Sequence, residues 1–410
     1  MGSSRKNFSQ GYQIVKNDFQ KSVAGLFEKQ YDGTKCNNAI FINVLFCALC
    51  RIQSLFAACR NLAGSPDDRT VATAILKTLP EYSRLQKLVN QTLAEQLPKT
   101  LFRKPKRLAI DLVLIPYHGR YCYNINEVYR SQPKNGTSHF HAYATVCVLH
   151  KGFRYTVALT PVVKGEEMKV VVKRLLDQCK SIGIKCKLLL LDRGFYSVSV
   201  ISYLKHAQVP FVMPVIARGK KETKNSPAGG TRKYRHWKKS GFDRYEMKTK
   251  VKSKEMKTWF YVCVCCKNQM GKRGKHGRKS FTFAYYNVDV DRAKWFFETY
   301  RKRFGIETSY RQSNECRIRT STRKPELRFL YFALSMIMRN CWIWFERQYV
   351  MNGGRRPRQE RENYFSFKDL LGRLRNFLEK DLIGLTIKNT QTLEIKDSDR
   401  KMKNAYSTNY

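Results

Sequence analysis

From Arg107 to Val215 the sequence alternates short apolar runs with amphipathic ones, and that order restricts the fold more than any other feature. RLAIDLVLIPY (107–117) reads as a strand with a single aspartate inside it. Strand-like, aromatic-rich runs follow at Arg120–Tyr129, Phe140–Leu149 and Phe153–Pro161. Gly165–Ile182 then places Val170, Leu175, Leu176 and Cys179 on a helical period. KCKLLLL (185–191) is a buried strand that stops at Asp192, Ser197–His206 is helical, and Val209–Val215 is a further strand. Several strands, then helix, strand, helix and strand, define an α/β sheet. It carries one carboxylate on its first strand, Asp111, and one at a later strand end, Asp192. An unpaired charge inside an apolar strand is costly even after relaxation, so Asp111 needs a partner. Strand ends like that of 185–191 are where open α/β sheets place ligand sites. The plain structural alternatives are a salt bridge for Asp111 and a turn or helix cap for Asp192.

A third carboxylate lies in WFFETYRKRFGIETSYRQSN (295–314). Read as one helix, this stretch sets Tyr300, Arg303, Glu307 and Asn314 near one face, with Arg311 beside them. Phe296, Phe297, Phe304 and Ile306 fall on the other side. Alone, Arg303 and Glu307 are an ordinary i,i+4 pair on a basic amphipathic helix. Taken with Asp111 and Asp192, Glu307 completes a set of the kind that holds Mg²⁺ beside phosphates. Two such ions, about 4 Å apart, activate an attacking oxygen and stabilise a leaving one. The separations in sequence, 81 and 115 residues, mean that only the fold can bring the three together.

Charge narrows the partners. The chain of 410 residues has 78 Lys and Arg against 32 Asp and Glu, a net charge of +46, and self-repulsion of that size calls for a polyanion such as nucleic acid. An acidic membrane is the other candidate, but Ala39–Cys50 is interrupted by Asn43 and Phe329–Met338 is too short to span. MGSSRKNFSQ has no apolar signal region, and thirteen cysteines without regular spacing suit a reducing cytoplasm. The basic residues concentrate in Arg218–Lys239 and in 267–279, around strand-like runs at Phe242–Lys250, Lys257–Cys266 and Lys279–Asn287. Residues up to about 100 are helical. There Ser65 is an expected N-cap, with Pro66 at the first helical position of Asp67–Leu79, and Glu81–Leu97 follows. The pattern resembles a helix-turn-helix with Arg69, Thr70 and Thr73 as groove contacts; an ordinary helical hairpin gives the same pattern. Glu326–Tyr349 is a long apolar core helix, Phe367–Glu379 another, and the end after about Lys388 is polar. Cys263, Cys265 and Cys266 with His276, and the pair His139 and His141, have the residue types of metal ligands. Strand alternation turns neighbouring thiols to opposite faces, so packing is the simpler role.

Asp111 in AIDLVLIPYHG, DRGFYS at 192–197, and Tyr300-x2-Arg303-x3-Glu307 together resemble the DDE transposases over about residues 105–345. The pattern is similar to that of the insertion-sequence-four family, which has a β-rich insertion before its glutamate. The resemblance implies a ribonuclease-H-like α/β core at 104–216 and 288–350, with a β-rich basic insertion at 217–287. An N-terminal helical domain at 1–103 would bind DNA ends, and 351–410 would be a C-terminal helical segment with a polar tail. Asp111, Asp192 and Glu307 would be the catalytic metal ligands for two Mg²⁺ ions, with Mn²⁺ able to substitute. Tyr300 and Arg303 would contact DNA near the reacting phosphate. The family signature ends with a lysine where this chain has Asn314, and Arg311 on the same face can supply the charge. Arg193 and Trp237 complete the expected DNA contacts, Trp237 by stacking on an unpaired base. The implied activity is cleavage at the ends of the element and strand transfer into target DNA. The implied partners are double-stranded DNA and a second copy in a homodimeric synaptic complex, in the cytoplasm on the nucleoid and away from any membrane. A related nuclease that cuts without joining, and a DNA-binding protein without catalysis, are the alternative readings.

Overall fold

The computed structural model describes residues 2–62, 64–120, 128–150, 152–223, 225–251, 254–270, 276–350 and 366–380. Most of the strand expected at Arg120–Tyr129, the middle of the 267–279 connection, and the C-terminal tail lie outside the described residues. The chain begins with helix α1 (Gly2–Ala24), a small hairpin of β1 (Asp32–Gly33) and β2 (Cys36–Asn37), and then α2 (Asn38–Arg51), α3 (Leu55–Asn61), α4 (Asp68–Thr78) and α5 (Tyr82–Glu95). α2 is apolar on nearly every side and has nine buried residues, so it must be enclosed all round. Its enclosure comes from both ends of the chain. The N-terminal helices share one hydrophobic core with Phe329, Leu330, Leu334 and Ile337, and with Phe367, Leu370 and Leu374. They are therefore built into the body of the molecule and do not have a core of their own. The N-cap of α4 is Asp67, which accepts from the Thr70 backbone N–H at 2.9 Å and the Thr70 hydroxyl at 2.7 Å. Ser65 and Pro66 precede the cap, contrary to the sequence expectation, because the carboxylate satisfies the helix donor from two residues further on.

The sheet is built on β3 (Lys106–Pro116), the strand with Asp111. It is followed by β4 (Tyr129–Lys134), β5 (Thr137–His150), β6 (Phe153–Val162), helix α6 (Met168–Ser181), β7 (Cys186–Leu191), helix α7 (Val198–His206) and β8 (Phe211–Pro214). β5 runs antiparallel to β3 along ten residue pairs, β6 lies antiparallel to β5, and β7 and β8 run parallel on the other side. The order β6-β5-β3-β7-β8 is consistent with a ribonuclease-H-like core. α6 and α7 cover one face, where Leu108, Ile110, Leu189 and Leu191 pack. Ala109, Leu188 and Leu190 pack on the other.

The strands of the basic segment after Val215, β9 (Gly241–Val251), β10 (Lys254–Met270) and β11 (His276–Tyr286), continue the same sheet, which has nine strands among the described residues. β11 pairs antiparallel with β8, Phe283 opposite Pro214 through Tyr286 opposite Phe211. Without that pairing β8 would be an open edge, which proteins generally cover. Beyond the sheet come α8 (Ala293–Arg301), α9 (Gly305–Asn314), α10 (Pro325–Phe345) and α11 (Phe367–Lys380). Among the described residues no single helix is long and apolar enough to cross a membrane.

The outer edge of β6 is closed by two asparagines. The Leu159 N–H donates to Asn90 Oδ1 at 2.8 Å, and the Thr156 N–H donates to Asn340 Oδ1 at 3.1 Å. Asn340 Nδ2 returns a bond to the Thr156 carbonyl at 2.9 Å. One amide on α10 thus replaces the neighbouring strand that the edge lacks. Asn340→Leu removes both bonds and leaves a buried donor and acceptor unsatisfied, at an expected cost of about 2–4 kcal/mol. Urea unfolding followed by circular dichroism measures it. A midpoint equal to that of the wild type would mean that solvent reaches Thr156.

Candidate active site

Three carboxylates distant in sequence converge on one guanidinium. Arg303 Nη1 donates to Asp111 Oδ2 at 2.9 Å, and Arg303 Nη2 lies 3.4 Å from Asp192 Oδ1 and 3.4 Å from Glu307 Oε1. Arg303 Nε donates to the Tyr300 hydroxyl at 3.0 Å, and that hydroxyl reaches Asp192 Oδ1 at 3.4 Å. Burial is graded across the cluster. The Arg303 side chain is 4% exposed and Asp111 11%, whereas Asp192 is 40% and Glu307 55% exposed. The cluster therefore has a closed floor and an open rim.

Each position has a local cause. Asp111 sits in the middle of β3 and accepts from the Leu112 backbone N–H at 2.9 Å. Asp192 follows the last residue of β7, where the chain turns into a short 3-10 segment, Arg193–Phe195. Glu307 lies in the first turn of α9. The continuous helix expected over 295–314 is broken: residues 302–304 form a 3-10 turn between α8 and α9. The break falls next to Gly305, a poor helix former. The Arg154 guanidinium lies against the Gly305 backbone, in space a Cβ would fill. Tightening the turn there draws Arg303 inward, and it leaves Phe304, expected on the buried side, 48% exposed. Phe296, Phe297 and Ile306 are buried as expected.

Tyr310 is a member of the site that sequence reasoning missed. Its hydroxyl lies 2.6 Å from Thr145 Oγ1 and donates to the Asp111 carbonyl at 3.2 Å. It ties α9 to the strand pair that carries Asp111 (Asp111 opposes Thr145). The available signal was its position, three residues after Glu307 on the same helix face.

Burial is the main cause of the shifted acidities here. It pushes the Asp111 carboxyl up to about 6, with Arg303 and the Leu112 N–H acting in the opposite direction. Burial also holds the Tyr300 phenol well above its usual range, again opposed by Arg303. For Arg303 burial acts downward, but Tyr300, Asp111 and Asp192 together hold the guanidinium above its ordinary value. Three carboxylates against one guanidinium leave two negative charges when all are ionised. That donor chemistry, all oxygen with two groups at an open rim, fits a hard divalent cation. As placed, no three Asp, Glu, His or Cys side chains among the described residues could hold an ion, for the guanidinium lies between these carboxylates.

The other expected site residues are less central. Arg193 is exposed on the turn after Asp192. Arg311 and Asn314 are exposed further along α9, where Arg311 Nη2 donates to Thr308 Oγ1 at 3.3 Å. Trp237 is half-buried and packs edge-on against Tyr234, with ring centroids 5.4 Å apart. It belongs with Val262 and Val264 on the sheet face opposite that of Ala109 and Tyr300. The structure places it in the support of the insertion, away from the carboxylates. Cys263 and Cys265 face the α8 side, and the Cys266 thiol donates to the Trp237 carbonyl. His141 is buried edge-on to Tyr117, and burial pushes it down to about 3.

The family model for the transposase DDE domain matches residues 103–341, more than half of the chain, and spans all three carboxylates. Comparison with the curated proteins finds no match. Among solved structures the chain is similar to a cryo-EM structure of a piggyBac transposase synaptic complex with hairpin DNA, at 12% identity. The match covers 97% of this chain and 84% of that one, with a TM-score of 0.53. At that identity the likeness is one of fold.

Proposed function

The chain belongs to the transposase DDE family and is a DNA transposase, and we propose that Asp111, Asp192 and Glu307 are the carboxylates with which it cuts and joins DNA. The observation that carries this reading is their convergence on Arg303 from β3, the end of β7 and α9. Its substrates are then the ends of its own insertion sequence and a target duplex. Tyr300-x2-Arg303-x3-Glu307 supports placing it with the insertion-sequence-four family. Water attacks a phosphodiester to free a 3′-OH, and that 3′-OH attacks a target phosphodiester; each attack displaces in line the bridging 3′ oxygen, which takes a proton and leaves as a 3′-OH.

Divalent metal, Mg²⁺ as a pair with Mn²⁺ as substitute, would polarise the attacking and leaving oxygens at these three carboxylates. Asp111 is the fixed ligand, held by the strand and by Tyr310. Asp192 and Glu307, at the rim, are free to adjust to substrate. Arg303 would have to release the carboxylates for an ion to bind there, and its guanidinium would then be placed to grip the non-bridging oxygens of the reacting phosphate. Tyr300 keeps its hydrogen bond to Arg303 and steers that transfer. Strand joining needs two ends at once, which supports a homodimeric synaptic complex acting on nucleoid DNA in the cytoplasm.

The test is incubation of the wild-type protein with a labelled duplex carrying the DNA that flanks its gene, in Mg²⁺ or in EDTA. Nicks at the element end and joined products, both absent in EDTA, are expected. Nicks without joining would favour the nuclease reading, and binding without either product would leave a DNA-binding protein. The same assay has an expected pH profile. Metal and proton compete for Asp111, whose carboxyl is pushed up to about 6, so cleavage should fall steeply as pH drops through 6. A flat profile from pH 7.5 to pH 5 would remove Asp111 from the ligand set.

A further inference from the structure

A second cationic site lies on the catalytic face of the sheet, away from the carboxylates. In the strand register Arg107 on β3 opposes Leu149 on β5, and Leu149 opposes Arg154 on β6. Residues directly opposite one another share a face, so the two arginines flank one leucine, about 10 Å apart between Cα atoms. It is the face of Asp111, which lies four residues along β3 from Arg107. Lys302 enters from above, out of the 3-10 turn between α8 and α9. These groups line a cleft of about 350 Å³ together with His150, and no acidic side chain lines it. Its floor is built for the arginine: the missing Cβ of Gly305 lets the Arg154 guanidinium lie against the start of α9.

We propose that this cleft holds a backbone phosphate of the DNA strand that runs away from the reacting phosphodiester. Two guanidinium groups and an ammonium around one concavity match the charge and the several acceptor oxygens of a phosphodiester. Distance fits DNA as the source of that phosphate. Four residues along β3 are about 13 Å, which is about two steps along one strand, because its phosphates wind round the axis while rising 3.4 Å per step. Arg303 would then take the reacting phosphate and the cleft one about two steps away. Two grips on one strand fix its direction as well as its position. The inference rests on the reading of Asp111, Asp192 and Glu307 as the cleavage centre.

The experiment compares the wild type with the double variant Arg107→Gln, Lys302→Gln, which spares Arg154 and the turn it supports. Affinity for the flanking duplex is measured in EDTA across a salt series, so that binding is read without cleavage. Loss of this one phosphate contact should make the log–log salt slope shallower by about 1. Phosphate-ethylation interference should vanish about two steps from the bond that the wild type cuts in Mg²⁺, with the melting temperature unchanged. An unchanged slope, or an unchanged interference pattern, overturns the proposal. Failure of the wild type to cut would strike the cleavage reading instead, and the slope alone would then decide the cleft.

Discussion

Asp111→Ala will abolish strand cleavage and joining while leaving the protein folded and able to bind DNA. Loss of the ligand proposed at Asp111 would remove transition-state stabilisation of several kcal/mol, and about 4 kcal/mol is already a thousandfold in rate. Glu307→Ala should cost a similar factor, although its side chain is more exposed, because the proposed metal pair would serve the attacking and the leaving oxygen alike. The fold survives for two reasons. Arg303 keeps Asp192 and Glu307 as partners when Asp111 is removed, so no buried cation is left alone. The ionised Asp111 also contributes no stability at neutral pH. Its carboxyl is pushed up to about 6 in the folded chain, so the folded state holds the proton more tightly than the unfolded one. That contribution is present below about pH 4, the unfolded value, and is lost as pH rises through 6. Single-turnover cleavage with a gel readout measures the first claim, and a melt at pH 7.5 measures the second. Residual cleavage within tenfold of the wild type would mean that the ligand set lies elsewhere. A variant that does not fold would show that Arg303 needs Asp111 structurally, and the conservative Asp111→Asn would then carry the kinetic comparison.

The convergent carboxylates were legible because their physical causes are local. An aspartate in a run as apolar as AIDLVLI has to find a partner, and an aspartate ending LLLL has to lie at a strand end. Both statements hold whatever the rest of the chain does. Glu307 needed the spacing of Tyr300, Arg303 and Glu307, which survives the break at residues 302–304 because Arg303 and Glu307 remain four residues apart. The break itself was not legible. Gly305 alone does not specify it, and the Arg154 guanidinium packed against that glycine comes from a strand some 150 residues earlier. Long-range pairing also decides the rest. Nothing local in Phe281–Tyr286 says that it will join Phe211–Pro214, so a strand set that reads as an insertion extends the main sheet. Trp237 looked free because a basic, glycine-containing segment surrounds it, and Tyr234, only three residues away, takes up its ring. The N-terminal helices were read correctly as helices, yet the enclosure of α2 depends on apolar side chains of α10 and α11, some 300 residues distant.

DNA affinity will fall by about 10³ or more between 50 and 200 mM salt, the loss expected for six or more phosphate contacts. Pairing within the protein cannot absorb the charge. Even if each of the 32 acidic residues neutralised one base, 46 of the 78 Lys and Arg would remain. Many pairs that do form are exposed, such as Lys173 with Asp177 and Lys248 with Glu246, and exposed pairs hold their partners weakly. Trp259 of the insertion has two cations already placed on its ring: Lys205 Nζ of α7 lies 3.5 Å and the Arg244 guanidinium 4.3 Å from its centroid. Such side chains are partly ordered before DNA arrives, so less is lost on contact with phosphate. Fluorescence anisotropy of a labelled duplex over a salt series, in EDTA, gives the slope directly. A loss below tenfold would mean that the excess charge serves something other than the DNA backbone. A steep slope has a further consequence, because the counterion term is blind to sequence. Duplexes with and without the element end should then share nearly one slope and differ in intercept. The preference for the end would reside in the few contacts that reach base edges, and the preference for cutting there in the handover of Arg303 from carboxylates to phosphate.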